Sequence, residues 1–246
     1  MLEGMYTAAA GMAAQQTRLD AVSANLANVD TTGYKSARVA FRDLVYDDFQ
    51  GYGAQKGVAI GAGSAATSIG RSASQGALQS TGRSLDVAVN GQGYLQVKLK
   101  DGTTALTRDG NLQVSADGRL ALHTGQLVEP AITIPKGANT DAITVKSDGT
   151  VTLDGKALGQ IKLVDVPAPA GLKGGPDNTF VATTGSGAIR AANKDTILVQ
   201  GALESSNVDT AQAMTDMIEA QRAFQLASKA INTQDEVLQI ANQVKR

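Results

Sequence analysis

Apolar residues near the N-terminus fall at Leu2, Met5, Ala9, Met12, Leu19, Val22, Leu26 and Val29, in steps of 3, 4, 3, 7, 3, 4 and 3. This spacing predicts an amphipathic helix over residues 2–32, free of proline, with its seam interrupted at Gln16. Alanines at 8, 10, 13, 14, 21, 24 and 27 keep the flanks thin enough for a second helix to approach closely. Gly4 and Gly11 weaken the early turns by about 1 kcal/mol each relative to alanine. Gly33 stands where a left-handed cap would end the helix. The C-terminus repeats the pattern: Ala213, Met217, Ala220, Phe224, Ala227, Ile231, Gln234, Leu238 and Ala241 recur in alternating steps of 4 and 3. Asp209 is placed to cap this second helix, and Gln212, three residues on, makes an approximate capping box. Lys245 and Arg246 suit the negative end of the helix dipole. At about 1.5 Å per residue the two helices would reach roughly 45 and 50 Å, longer than a small domain is wide.

Between them the period changes. Residues 36–70 lose helical spacing and gather glycine, alanine and serine, which predicts an extended connector with room for one hairpin. From residue 71 to 200 short alternating runs are punctuated by Asn90-Gly91 and by Asp-Gly at 101–102, 109–110, 117–118, 148–149 and 154–155. Asp-Gly between alternating runs signals a hairpin, and the first three pairs are eight residues apart, as in a meander. "PAPAGLKGGPDNTF" reads as a loop. The predicted fold class is α+β. Residues 1–35 and 201–246 supply long helices forming a coiled-coil-like pair. Residues 36–70 connect, and residues 71–200 form an all-β domain of short antiparallel strands, barrel- or sandwich-like.

Composition narrows the chemistry. Among 246 residues the formal charge is −1, which gives no footprint for nucleic acid or an anionic membrane. There is no cysteine or tryptophan, and aromatics are 4%, which removes thiolate chemistry, disulfides and a stacking platform for bases or sugars. No run approaches the ~18 apolar residues of a membrane span. The first twenty residues lack the basic and apolar regions of a cleavable signal.

Candidate sites are sparse. His123 is the one histidine, with no second ligand for zinc, and reads as a surface or loop residue. "GAGSAA" at 61–66 lacks the third glycine of a dinucleotide fingerprint. Asp47 and Asp48 read as a solvated turn, the Asp-Gly pairs lack the calcium-loop spacing, and no G-x-S-x-G elbow occurs. No cofactor or metal is implied. The terminal seams are the informative feature. Two helices packing within one chain would explain them. Their length, and the second face that a lone pair leaves uncovered, favour a pair that completes its packing in an oligomer. A secreted β module binding glycan or cell wall is a second class of reading, opposed by the few aromatics. An enzyme such as a wall hydrolase is a third, opposed by the absence of paired carboxylates.

Residues 8–35, "AAAGMAAQQTRLDAVSANLANVDTTGYK", closely resemble the N-terminal signature of bacterial flagellar rod and hook proteins. "GALESSNVDTAQAMTDMIEAQRAFQLASKAI", 201–231, resembles the C-terminal helix of that family, and "LDVAVNGQGYLQV" and "TRDGNLQVSADGRL" resemble its β domain. Ala24 departs from the asparagine that many members carry there. Length and "FRDLVYDDF" point to the distal-rod members, with the proximal-rod members of similar size as the alternative.

The resemblance implies a non-enzymatic structural subunit that self-assembles through its terminal helices. The product would be a hollow helical drive shaft passing torque from motor to hook. Its partners would be further copies of itself, other rod proteins, the hook protein, surrounding basal-body rings and the type III export apparatus. Nucleic acid and membrane insertion are not among them. The location implied is the basal body, across the periplasm or cell wall, reached without a cleaved signal peptide. Asn25, Leu26, Ala27, Asn28, Thr32, Gly33, Tyr34 and Lys35 carry the motif. Asn25 and Asn28 are expected at subunit contacts, where an unpaired buried amide would cost about 1–3 kcal/mol and so fix register.

Overall fold

The computed structural model describes residues 2–44, 46–48, 59–61 and 63–244. Lys245 and Arg246, and the side chains of the seam residues Leu2, Leu238 and Ala241, lie outside that description. The chain divides into two units. A helical unit comprises Met1–Ala27, Ala37–Ile69 and Asp209–Arg246, and a β unit comprises Asn28–Ser36 and Gly70–Val208.

The helical unit contains α1, Leu2–Ala27, and α2, Thr210–Val244. They run antiparallel. Gln234 of α2 lies against Gly4, and Arg18 reaches Asp216 at 3.1 Å and Glu219 at 3.2 Å. Asp209 caps α2, its Oδ1 accepting the backbone N–H groups of Ala211 and Gln212. The capping box does not close, because the Gln212 amide donates forward to Asp216. On α2, Ala213 and Ala220 are buried and Met217, Phe224, Ala227 and Ile231 half-buried.

On α1 the most buried residue is Ala14, which is not in the predicted seam. Of the seam, Val22 is buried, Met5, Met12, Leu19 and Leu26 are half-buried and Ala9 is exposed. Met12 and Leu19 stand roughly 100° round the helix from the line of Gly4, Ala14 and Arg18. The small-residue flank therefore faces α2, and most of the large apolar residues do not. Gln15 and Gln234 each bury a side-chain oxygen without a hydrogen-bond partner, a cost of about 1–3 kcal/mol apiece.

α1 ends at Ala27 rather than Thr32, and residues 28–35 are not helical. The chain doubles back there: the Asn25 amide donates to the Ala37 carbonyl at 3.0 Å, and its oxygen accepts the Ala37 N–H at 2.7 Å. The expected connector is a β arm. Ala37–Asp43 pairs with Ser64–Arg71, and Tyr46–Asp48 with Ala59–Gly61, so Asp47 and Asp48 lie in a strand and not a turn. Residues 45, 49–58 and 62 of this region lie outside the described residues.

In the β unit the principal sheet has the order Lys173–Gly174, Thr179–Val181, Thr104–Thr107, Tyr94–Lys98, Leu127–Val128, Leu120–Leu122, Leu112–Val114. Leu163–Asp165 also pairs with Tyr94–Lys98 and carries Arg190–Ala191 at its other edge. The sheet does not close, so it is not a barrel. Alternation along Tyr94–Lys98 feeds two cores. Leu95 and Val97 join Val87, Leu112, Leu122, Ile132 and Leu198 on one side. Tyr94 joins Leu106, Val164 and Phe180 on the other, its ring edge-on to Phe180 at 5.8 Å. Burial pushes the Tyr94 phenol above its ordinary pKa.

The Asp-Gly pairs at 101–102, 117–118, 148–149 and 154–155 each turn a hairpin. In two of them the aspartate carboxylate accepts a backbone N–H two residues on, Asp101 from Thr103 and Asp148 from Thr150. Those bonds hold both carboxyls below the usual aspartate range. Asp109-Gly110 is the exception. Gly110 lies in extended chain beside Val87, whose N–H it accepts at 3.0 Å. A Cβ on Gly110 would stand 1.5 Å from the Val87 carbonyl oxygen. Gly110→Ala is expected to destabilise the β unit by about 2–3 kcal/mol through overpacking, read from the midpoint of urea unfolding. An unchanged midpoint would show that the two chains separate at little cost.

Candidate functional site

The polar motif that follows α1 turns inward along its length, from the exposed Asp30 to the buried Gly33, Tyr34 and Lys35. From Asn28 to Ser36 it belongs to the β unit, where Gly33, Tyr34 and Lys35 are buried. Each residue has a specific seat. Asn28 Oδ1 accepts from the Thr31 hydroxyl at 3.1 Å, while Val29 is half-buried. The Thr32 hydroxyl donates to Asp109 at 2.8 Å, and the Thr32 carbonyl accepts from the Asn178 amide at 2.8 Å. Gly33 has φ +64° and donates its N–H to the Glu204 carbonyl at 2.7 Å. A Cβ at Gly33 would lie 2.5 Å from the Arg108 carbonyl carbon, so this glycine serves a close approach and not a helix cap. The Tyr34 ring lies under the Arg71 guanidinium, 5.1 Å from centroid to Cζ, and Arg71 stands 5.6 Å from the Phe180 ring as well.

Lys35 is the centre of the site. Its side chain is 2% exposed, and its Nζ donates to Glu204 Oε1 at 2.5 Å and to the Ser74 carbonyl at 2.7 Å. Glu204, 0% exposed, takes a second cation at Oε2, Arg108 at 2.9 Å, and the Gly76 N–H at Oε1. Arg108 also donates to the Val89 and Gly91 carbonyls and lies over the Tyr94 ring. Burial draws the Lys35 ammonium below its ordinary pKa, with Glu204 opposing that shift. A buried carboxylate costs several kcal/mol unless it is paired and hydrogen-bonded; Glu204 has two cations and the Gly76 N–H, while Arg108 Nε is buried without a partner.

Asn207 completes the arrangement. Its oxygen accepts the Ser36 N–H, its amide donates to the Ser74 carbonyl and hydroxyl, and its own N–H reaches the Tyr34 carbonyl. Ser72 N–H donates to the Ser36 carbonyl, and Arg71 to the Lys35 carbonyl at 3.0 Å. Three of the four places where the chain leaves the β unit, those next to Ser36, Gly70 and Val208, are thus tied by bonds inside that unit.

The motif was legible as polar detail, but its partners were not. Arg108 and Asp109 lie within "TRDGN", just past the strand Thr104–Thr107, and Glu204 and Asn207 within "GALESSN"; only Glu204, at the end of the strand Ala202–Glu204, stands as a charged residue beside apolar strand positions. Asn25 and Asn28, expected at subunit contacts, both have intrachain bonds, Asn25 within the helical unit and Asn28 within the β unit.

Nothing in the arrangement is set up for bond-breaking chemistry. His123, 49% exposed, faces Asp109 at 3.1 Å. Among the described residues no group of three or more His, Cys, Asp or Glu could hold a metal. A groove of about 890 Å³ beside Lys162, Arg190, Asn193 and Lys194 contains one carboxylate, Asp148, and so lacks the pair that glycoside hydrolysis uses. Glu204→Gln is expected to lower stability by about 3–5 kcal/mol, since two buried cations lose their anion. A loss under about 1 kcal/mol in urea unfolding would mean that the ion cluster does not hold the motif.

Comparison with known proteins matches the chain in three places. Residues 5–35 match the flagella basal body rod protein family, residues 88–153 the D1 domain of the flagellar hook proteins FlgE/F/G, and residues 199–244 the C-terminal part of the flagellar basal body rod FlgEFG proteins. The flagellar basal-body rod protein FlgG of Caulobacter vibrioides is 38% identical over 263 aligned positions, covering 99% of this chain and 100% of that protein. The FlgG proteins of Borreliella burgdorferi and Bacillus subtilis are each 38% identical, with both chains covered completely. Similar along its whole length to such proteins, the chain belongs to the flagellar basal-body rod protein family, as a structural subunit of the distal rod and not an enzyme.

Proposed function

We propose that this rod subunit polymerises with copies of itself through α1 and α2, packed in coiled-coil fashion, into a hollow helical shaft that carries torque to the hook. The observation that carries this reading is the set of large apolar residues that α2 leaves exposed. Ala213, Ala220, Phe224 and Ile231 occupy one side of the helix. Met214, Ile218, Leu226, Val237 and Ile240, 50–69% exposed, are spread over the rest of the helix between roughly 100° and 240° from that side, interleaved with the exposed Glu219, Arg222, Lys229 and Glu236. Large apolar side chains left half or more exposed on a long helix lose that exposure when neighbouring helices pack over them. Tyr6 of α1 is 74% exposed, and little of α1 beyond Ala14 and Val22 is buried. Head-to-tail contacts between unlike faces generate open helical filaments, which is the symmetry of a shaft.

Other rod proteins and the hook protein would abut the ends of the polymer, with basal-body rings around it. Export through the type III apparatus suits a chain whose helices bury little by themselves and gain stability from neighbours by mass action. Asn25, Leu26, Ala27, Asn28, Thr32, Gly33, Tyr34 and Lys35 contribute to register by anchoring the chain internally, Asn25 at the end of α1 and Thr32 to Lys35 in the β unit. Exposed-face substitutions separate assembly from folding. Ile218→Asp and Leu226→Asp are expected to change β-unit stability by no more than about 0.5 kcal/mol. They should nonetheless abolish tubes in electron microscopy and the rise of light scattering with concentration. Normal tubes from both variants would contradict the proposal.

A further inference from the structure

We infer that the β unit is a receptor for the Asn28–Ser36 segment: the segment docks as a peptide ligand, and the same seat accepts it from a separate molecule, including a second copy of this chain. The segment is grouped with Gly70–Val208, although the chain on both sides of it belongs to the helical unit. Its recognition has the form of a bound peptide, in which main-chain bonds give affinity and buried side chains give selectivity. The main-chain bonds are Gly33 N–H to Glu204, Asn207 N–H to Tyr34 and Ser72 N–H to Ser36. The selective groups are Tyr34 under Arg71 and Lys35 on Glu204. Without the segment, the fully buried Glu204 keeps Arg108 but loses the Lys35 ammonium, and the seat of Tyr34 is empty. The native β unit is therefore completed by the segment.

The seat has a further consequence for order of events. Glu204 and Asn207 lie near the end of the chain, so the motif cannot be locked until nearly the whole sequence is present.

The test uses the full-length chain carrying Lys35→Met and a fluorescent peptide of residues 28–36. The variant is expected to bind this peptide about a hundredfold more tightly than a peptide with methionine in place of the lysine, the scale set by restoring a buried ion pair. The unaltered chain should bind neither at the same concentrations, because its own segment fills the seat at an effective concentration on the order of millimolar. A folded variant whose amide exchange over residues 70–208 is unchanged, and which takes up neither peptide or both equally, overturns the inference. If the variant folds only when the wild-type peptide is added, the inference is supported. If it does not fold in either case, the unaltered chain is refolded from urea with the labelled peptide at several times about 1 mM. Incorporation then supports the inference, and none overturns it.

Discussion

Glu204 is a carboxylate removed from water, and much of the β unit around it answers to that fact. An ionised side chain at such a depth demands countercharge and donors, and the sequence provides them from distant positions: Lys35 from the N-terminal motif, Arg108 from the middle of the chain and the Gly76 N–H. Those requirements explain the motif residue by residue. Lys35 is needed as a cation that reaches inward. Gly33 is needed because the backbone passes too close to Arg108 for a Cβ. Tyr34 gives Arg71 a face to stack on, and Thr32 satisfies Asp109. A salt bridge in this setting gives little net stability over an apolar substitute, but removing either partner is costly. Its effect is to make one arrangement of the exits from the β unit far better than any other.

The helical unit follows a different logic. It offers long, alanine-rich helices with few buried side chains, two glutamine oxygens buried without partners, and several large apolar side chains of α2 open to solvent. Such helices are marginal alone and become stable by packing. A rod needs both properties in one subunit: a β unit complete in the free chain, with its exits pinned, and helices whose packing is finished by neighbours.

What the sequence disclosed depended on whether the cause was local. Asp-Gly turns are local, and four of the five formed hairpins. The fifth, Asp109-Gly110, has the same letters, but Gly110 answers to Val87, a neighbour that is distant in the chain. Asp209 was legible as a cap because its bonds go two and three residues forward. The periodicity of α1 located a helix but misjudged its contact side, since small residues such as Ala14 permit the approach of α2 where large ones would hold it away. The end of α1 at Ala27 was not legible, because it accompanies the pairing of Asn25 with Ala37 and the Lys35–Glu204 ion pair, which no periodicity contains. The glycine- and alanine-rich composition of residues 36–70 left room for one hairpin but did not disclose that Ala37–Asp43 pairs with Ser64–Arg71 and Tyr46–Asp48 with Ala59–Gly61.

The most direct measurement is amide hydrogen exchange of the full-length protein, compared between dilute monomer and assembled polymer. The account predicts that residues 32–36 are equally and strongly protected in both, while α1 and α2 gain protection only in the polymer. Rapid exchange of residues 32–36 in the monomer, or helices already fully protected there, would contradict it.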